Sequence, residues 1–349
     1  MKAFLWLVVG LLMIGCASET KTTQAGGKEL RRVKDQPEYA LAEPISYRNV
    51  TVIPVVSTKK IDQDVDYASL EEAKKNGWVE IIEKPGDEEV NSLRVRNLGP
   101  KPILLLAGQL LIGGKQDRIV GKDTVVPVGE TIEVPVYCVE HGRWQGDTHK
   151  FEYQNQVVPK KVKDAAMFGR QEEVWSRVGE VNEEAKADSS TSTVMAGLEA
   201  PEVRAKIDEG YADLAAKLRE IDGCVGVIYA INGRIETLEL FGGESLWKSS
   251  MEGIVRGIVA TGATVTSGKS ESVSLDDAEA FLTKVLTSER SLAARNGGQA
   301  ARASNDPRLL SVDSDGVKGQ EMLMEAPAAS AKAADRQVLH GTYNNSDSK

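Results

Sequence analysis

The chain has 349 residues, 41% hydrophobic and 27% charged, the balance of a folded globular protein with room for one large or two ordinary cores. Its formal charge of −9 argues against a nucleic-acid partner, which needs a basic face. Aromatic residues make up only 5%, and the five Trp match the five Phe in number, so each Trp is worth locating.

The chain opens with Met1 and Lys2, an apolar run over Ala3–Ile14, then Gly15 and Cys16. A positive start, a short apolar stretch and a small residue before a cleavage point describe a secretory signal. The run is too short for the roughly 20 residues that span a bilayer. Met13-Ile14-Gly15-Cys16 resembles a bacterial lipobox, with Met13 where leucine is usual. That resemblance implies a signal peptide over 1–15, cleavage before Cys16, diacylation (palmitate-type) of its sulfur and membrane attachment through that lipid. Ala17 and Ser18 follow with no aspartate, so the expected address is extracytoplasmic, at the outer rather than the inner membrane. Ala17–Tyr39 is rich in Ser, Thr, Gly, Lys and Gln, and 16–44 reads as a flexible tether.

A β-rich subdomain is expected over 45–160. Asn49–Val56 has strand composition, with Pro54 marking an edge or an end. Ser69-Leu-Glu-Glu72 is a capping box opening a helix that Gly77 stops. Strands then follow at Val79–Glu83 and Ser92–Arg96, and Ile103–Leu106 is apolar enough for a doubly buried strand. From Thr131 the chain alternates. Ile132, Val134, Val136 and Cys138 share one face, which puts Pro135 outward on an edge strand.

A helix-rich subdomain is expected over 161–290. Gln171–Ala185 carries Val174, Val178 and Val181 at helical spacing, Asp188–Thr193 is a Ser/Thr-rich break, and Pro201 starts the clearest helix. Cys224–Ile231 and Arg234–Phe241 flank Asn232-Gly233 as a hairpin over 224–241. Helices are expected again over Leu246–Val259 and Leu275–Leu286. The remainder, 291–349, reads as a largely irregular tail with short strands: a hairpin around Asp313–Gly316 within Leu309–Met324, and a last strand over Gln337–Tyr343. Strand runs followed by helix runs argue for an α+β fold, with two subdomains as one reading. Cys138 and Cys224 both sit in apolar strand-like runs, where free thiols behave as small hydrophobes, and two buried thiols are expected rather than a disulfide.

Two segments could carry chemistry. Gly113-Gly114-Lys115-Gln116-Asp117-Arg118 has paired glycines before a lysine, but it lacks P-loop spacing and a following Ser/Thr. It reads as a tight bulged turn with a polar tip, or as a polar set offered to a ligand. Cys138-Val-Glu140-His141-Gly142-Arg143-Trp144 gathers a thiol, a carboxylate, an imidazole, a guanidinium and an indole. Alternation turns Cys138 inward and His141 away, so a thiol–imidazole pair would need a bend. Glu140, His141 and His149 match no familiar zinc spacing, so no metal and no cofactor are implied. Arg143 and Trp144 offer a rigid fork and a stacking face, or else Arg143 simply pairs with Glu140. Asp313–Gly316 reads as a turn rather than a calcium loop, and His340 as a satisfied or surface imidazole.

Gly108–Arg118, Val134–Trp144, Val174-Trp175 and Val225–Gly233 together resemble the ARG and rhodanese-phosphatase-superfamily-associated protein domain, ARG denoting ADP-ribosylglycohydrolase. The resemblance covers roughly Ile45–Ala260. It implies an α+β domain without an established mechanism, a shared site at Gln116, Arg118, Glu140, Arg143 and Trp144, and a ligand related to ADP-ribose or phosphorylated nucleosides. The lipobox sets this chain apart, since such nucleotides are scarce outside the cytoplasm. The leading expectation is a lipid-anchored envelope protein that binds a small ligand or an envelope protein without catalysis. The ligand would sit at Gln116, Asp117, Arg118, Glu140, His141, Arg143 and Trp144. One alternative is a hydrolase of ADP-ribosyl or phosphorylated substrates, with Arg118 and Arg143 on phosphate and Glu140 as general acid/base. Another is a structural scaffold of the envelope.

Overall fold

The computed structural model describes residues 22–25, 28–59, 66–84, 91–143, 146, 148–265, 273–288, 291–292, 308–314, 316–323 and 338–347. The expected signal segment, Cys16 and Trp144 lie outside them. The first strands are β1 (Thr22–Ala25), β2 (Lys28–Arg32), β3 (Tyr39–Ala42), β4 (Ile45–Tyr47) and β5 (Val50–Ser57). Neighbours β1–β2, β2–β3, β3–β5 and β4–β5 pair antiparallel. The expected tether over 16–44 is therefore corrected from residue 22 onward. Leu30, Ala40, Leu41 and Ala42 are buried, a periodicity too short to stand out among the polar residues around it.

Next come β6 (Ala68–Ser69), α1 (Leu70–Lys75), β7 (Val79–Ile82), β8 (Ser92–Asn97), β9 (Ile103–Leu105), β10 (Gln109–Gly113), β11 (Arg118–Val120), β12 (Thr124–Val126), β13 (Thr131–Cys138) and β14 (Phe151–Val157). Ser69 caps α1, its hydroxyl accepting from the Glu72 N–H as the capping box requires. Six strands run in the order β14-β10-β11-β13-β8-β7. Ile82 of β7 bridges Lys150, just ahead of β14, so the two outer strands meet and the six close on themselves. Leu93, Val95, Leu111, Val120, Val134, Val136, Phe151 and Tyr153 belong to the core of this unit. β13 is an interior strand, not the expected edge. It pairs β8 through Thr131–Pro135 and β11 through Val136–Cys138, with Pro135 where pairing passes from one neighbour to the other. A residue without an N–H is tolerated at such a handover.

The second half contains α2 (Lys160–Phe168), α3 (Gln171–Glu184), α4 (Val194–Glu199), α5 (Pro201–Arg219), β15 (Cys224–Ile231), β16 (Arg234–Phe241), α6 (Glu244–Ala263), α7 (Leu275–Thr287), β17 (Ser291–Leu292), β18 (Arg308–Ser314), β19 (Val317–Leu323) and β20 (Val338–Asn345). Asn232 and Gly233 both have positive φ, 52° and 81°, the conformation that suits an Asn-Gly hairpin turn between β15 and β16. The large sheet runs β1-β2-β3-β5-β15-β16-β20-β19-β18-β17.

That order corrects two expectations. β5 pairs β15 along nearly its whole length, so residues 45–160 and 161–290 are not separate bodies. The 291–349 segment is no mere tail, because β20 lies between β16 and β19 in the middle of the sheet. Both faces of β15 are covered. Val227 and Tyr229 pack in the core shared with α5 and α6, while Val225, Ile228 and Ala230 pack in the one containing Phe281 and Leu282 of α7. A strand buried on both faces reads as an unbroken apolar run, as Cys224–Ile231 does. Cys138 and Cys224 are both buried and unbridged.

Candidate functional site

The two polar segments meet. Gly113 and Gly114 adopt φ of 137° and 51°, and a Cβ on Gly113 would collide with the Lys150 carbonyl, so this corner admits only glycine there. The corner folds the polar tip inward instead of presenting it. Gln116, Asp117, Arg118 and Glu140 are 3–5% exposed.

Arg143 is the hub. Its Nε donates to Glu140 Oε2 at 2.8 Å, one terminal nitrogen to Asp117 Oδ1 at 2.9 Å, and the other to the Gly114 carbonyl at 2.8 Å. Asp117 Oδ1 also accepts from the Gly113 N–H, and Oδ2 accepts from the Thr193 hydroxyl at 3.3 Å. Glu140 Oε2 accepts the Asp117 N–H, and Gln116 Nε2 donates to the Glu140 carbonyl at 2.7 Å. Thr193 comes from the Ser/Thr-rich break ahead of α4, and Glu140 and Thr193 form an isolated β-bridge. This third participant was missed in sequence because a hydroxyl run between helices reads as a solvated loop.

Electrostatics follow the contacts. Burial raises the Glu140 carboxyl, but the hydrogen bonds from Arg143 and Thr191 outweigh it and hold it below the usual range. Burial first, then the nearby Glu140 charge, pushes Asp117 up. The Arg143 guanidinium is raised, chiefly by its bond to Glu140.

Arg118 behaves differently. It is 3% exposed, its Nη1 reaches only neutral oxygens (Gln116 Oε1 at 3.2 Å and the Asp117 carbonyl at 3.4 Å), and its buried Nε has no partner among the described residues. No carboxylate of the described residues lies within ion-pair distance of it. Burial lowers its affinity for the proton, and the charges of Cys138, Glu83 and Asp117 offset this only in part.

The remaining candidates divide. Cys138 is buried and its thiol is pushed up by burial, so it is held as the neutral form. His141 is exposed and packs edge-on against the Trp175 ring, 4.4 Å between centroids, not against the thiol. Trp175, which sequence reasoning noted only in passing, has its indole nitrogen buried without a partner among the described residues. His149 pairs with Glu83 at 3.0 Å. Among the described residues no group of three or more His, Cys, Asp or Glu is placed to hold a metal. Glu140 and Arg143 thus converge, while Arg118 turns toward Gln116 and reaches neither.

A second buried charge cluster was missed altogether. Glu239 of β16 accepts from Lys163 of α2 at 2.6 Å and from the Thr342 hydroxyl at 2.7 Å, and His340 of β20 lies between Glu239 at 3.1 Å and Asp123 at 2.5 Å. Three distant elements and the loop ahead of β12 supply it, so no local spacing could reveal it. His340 is satisfied, one of the two readings open for it.

These features define an α+β domain in which a closed six-stranded unit and a large antiparallel sheet share one core, with a buried arginine-centred polar knot at the end of β11 and β13. A family model described as ARG and Rhodanese-Phosphatase-superfamily-associated Protein domain matches residues 38–343, and the chain belongs to that family. No curated protein and no solved structure matches it.

Proposed function

We propose that this protein is a lipid-anchored envelope protein whose domain binds an anionic ligand without transforming it, with Arg118 as the receptor. The observation that carries this reading is the state of Arg118: a buried guanidinium with neutral partners only. A buried cation without an ion pair is costly, and a phosphate, sulfate or carboxylate group would relieve that cost through a fork-shaped pair of bonds. The Arg143–Asp117–Glu140 knot favours binding over catalysis. The Glu140 carboxylate is tied by Arg143, the Asp117 N–H and Thr191 and held ionised, which suits a rigid support better than a general acid. The family's association with ADP-ribosylglycohydrolases keeps ADP-ribose among the ligands to try. The lipobox ending in Cys16 supports anchoring, and among the described residues no helix is long and apolar enough to cross a membrane.

The test is thermal-shift screening of the full chain against inorganic phosphate, sulfate, succinate and ADP-ribose. A ligand that binds only the folded state raises the midpoint. The expected result is a rise with at least one oxyanion that disappears in Arg118→Gln. No rise with any of them, or a rise that Arg118→Gln leaves unchanged, would contradict it. Anchoring is checked by mass spectrometry of the mature N-terminus, where a diacylated Cys16 is expected.

A further inference from the structure

Away from the arginine knot, β14 departs from regular pairing with β10. Gln109 stands opposite Val157 and Leu111 opposite Tyr153, so three residues of β14 (Gln154, Asn155, Gln156) face the single intervening Leu110. Asn155 takes the left-handed conformation, φ 52°, and its buried Oδ1 has no hydrogen-bond partner among the described residues. Bulge, left-handed backbone and orphaned carbonyl each carry a free-energy cost. What they do is set Gln154, Asn155 and Gln156 along the wall of a cavity of about 160 Å³.

We propose that this cavity binds a small, hydroxyl-rich molecule of monosaccharide size that carries no negative charge. Leu110, Leu198 and Ile207, all buried, give it an apolar floor. Asn155, whose carboxamide oxygen has no partner among the described residues, gives it a polar wall. It stands between Gln154 and Gln156, whose amide nitrogens donate to the Glu152 and Val157 carbonyls. An apolar surface with a few convergent polar groups is the pattern of a small-molecule site, and carboxamides match vicinal hydroxyls, which also donate and accept. The space is that of about five waters by their share of liquid volume. The rim sets the charge. Glu199, Arg204, Asp208, Arg256 and Glu252 form one chain of ion pairs, Arg204 to Glu199 and Asp208, Arg256 to Asp208 and Glu252. Three carboxylates against two guanidinium groups leave one net negative charge at the mouth, and Arg256 is further pinned over the Tyr211 ring at 4.5 Å. Both arginines are thus committed, and an anionic sugar meets no available cation there.

The site is independent of Arg118, and so is its test. Saturation-transfer NMR of the full chain with glucose, glucosamine and glucuronate compares one ring in three charge states. Glucose and glucosamine are expected to give signals and glucuronate none. Asn155→Gly suits the left-handed backbone, so it is expected to keep or raise the melting midpoint while weakening glucose binding about tenfold. Met195→Trp fills the cavity and is expected to abolish binding. Absence of any glucose signal would overturn the proposal, and so would glucuronate binding as well as glucose, or glucose affinity unchanged in Asn155→Gly.

Discussion

His340 shows how much a single buried side chain can carry. Although it is fully buried, the charges of Asp123 and Glu239 raise its pKa to about 9, while Lys163 and His340 together bring Glu239 down to about 2. A histidine raised from 6.5 contributes stability that is complete below about pH 6.5 and is lost as pH rises through 9. A carboxylate lowered from 4.5 contributes stability present above about pH 4.5 and lost as pH falls through 2. Glu71 works the other way. Burial lifts it to about 7, with Tyr153 donating to Oε1 at 2.7 Å, so its contribution is present below about pH 4.5 and fades as pH rises through 7. Denaturant midpoints measured across pH should therefore peak near pH 4.5, where the Glu239 gain is complete and the Glu71 loss begins. His340→Gln should remove the fall near pH 9. It should also cost about 3–5 kcal/mol at neutral pH, because the Asp123 carboxylate stays buried without its cation. At the arginine knot, Arg143→Ala strands Asp117 and Glu140 in the same way. Urea titration is expected to show a loss of about 3 kcal/mol, smaller at pH 4, where protonating Asp117 relieves the pair.

Elements meet at glycines that sequence alone could not explain. Gly253 lies mid-α6, where alanine would ordinarily gain about 1 kcal/mol. A Cβ there would strike the Tyr153 hydroxyl and approach Glu71 Oε1, so α6 docks on β14 only through this gap. Gly253→Ala is expected to lower the melting temperature, and Tyr153→Phe in that background to recover part of the loss. Where neighbours in sequence are neighbours in space, the pattern could be read directly. The Ser69 cap, the helix from Pro201, the Asn232-Gly233 hairpin and the pairing of β18 with β19 all follow from local spacing. The site was half legible for the same reason. The strings 113–118 and 138–143 were visible, but not that Arg143 would bond Asp117 and Gly114 across the sheet, nor that Thr193 would join them. α2 escaped because its outer face is lysine and its start is a bare proline without a capping side chain.

Across the whole molecule, the order of strands matters more than the order of residues. β20, near the end of the chain, inserts beside β16 and brings His340 to Glu239 and Asp123, so the last fifty residues complete the core begun by β5. Truncation after residue 290 is expected to leave a chain without a cooperative unfolding transition by circular dichroism. It would uncover the ladder of β16 and leave Lys163 and Glu239 without Thr342 and His340. The same long-range assembly buries Arg118 opposite Cys138, where it forms no ion pair among the described residues. A buried charge kept for structure stabilises the fold, whereas one kept for a ligand burdens the empty protein. The most direct measurement is the urea denaturation free energy of full-length Arg118→Met against the parent in oxyanion-free buffer. A receptor arginine predicts that Arg118→Met is at least as stable as the parent, by up to about 1–4 kcal/mol, yet no longer stabilised by added phosphate or sulfate. A clear loss of stability in that buffer would contradict it, and would make Arg118 part of the scaffold.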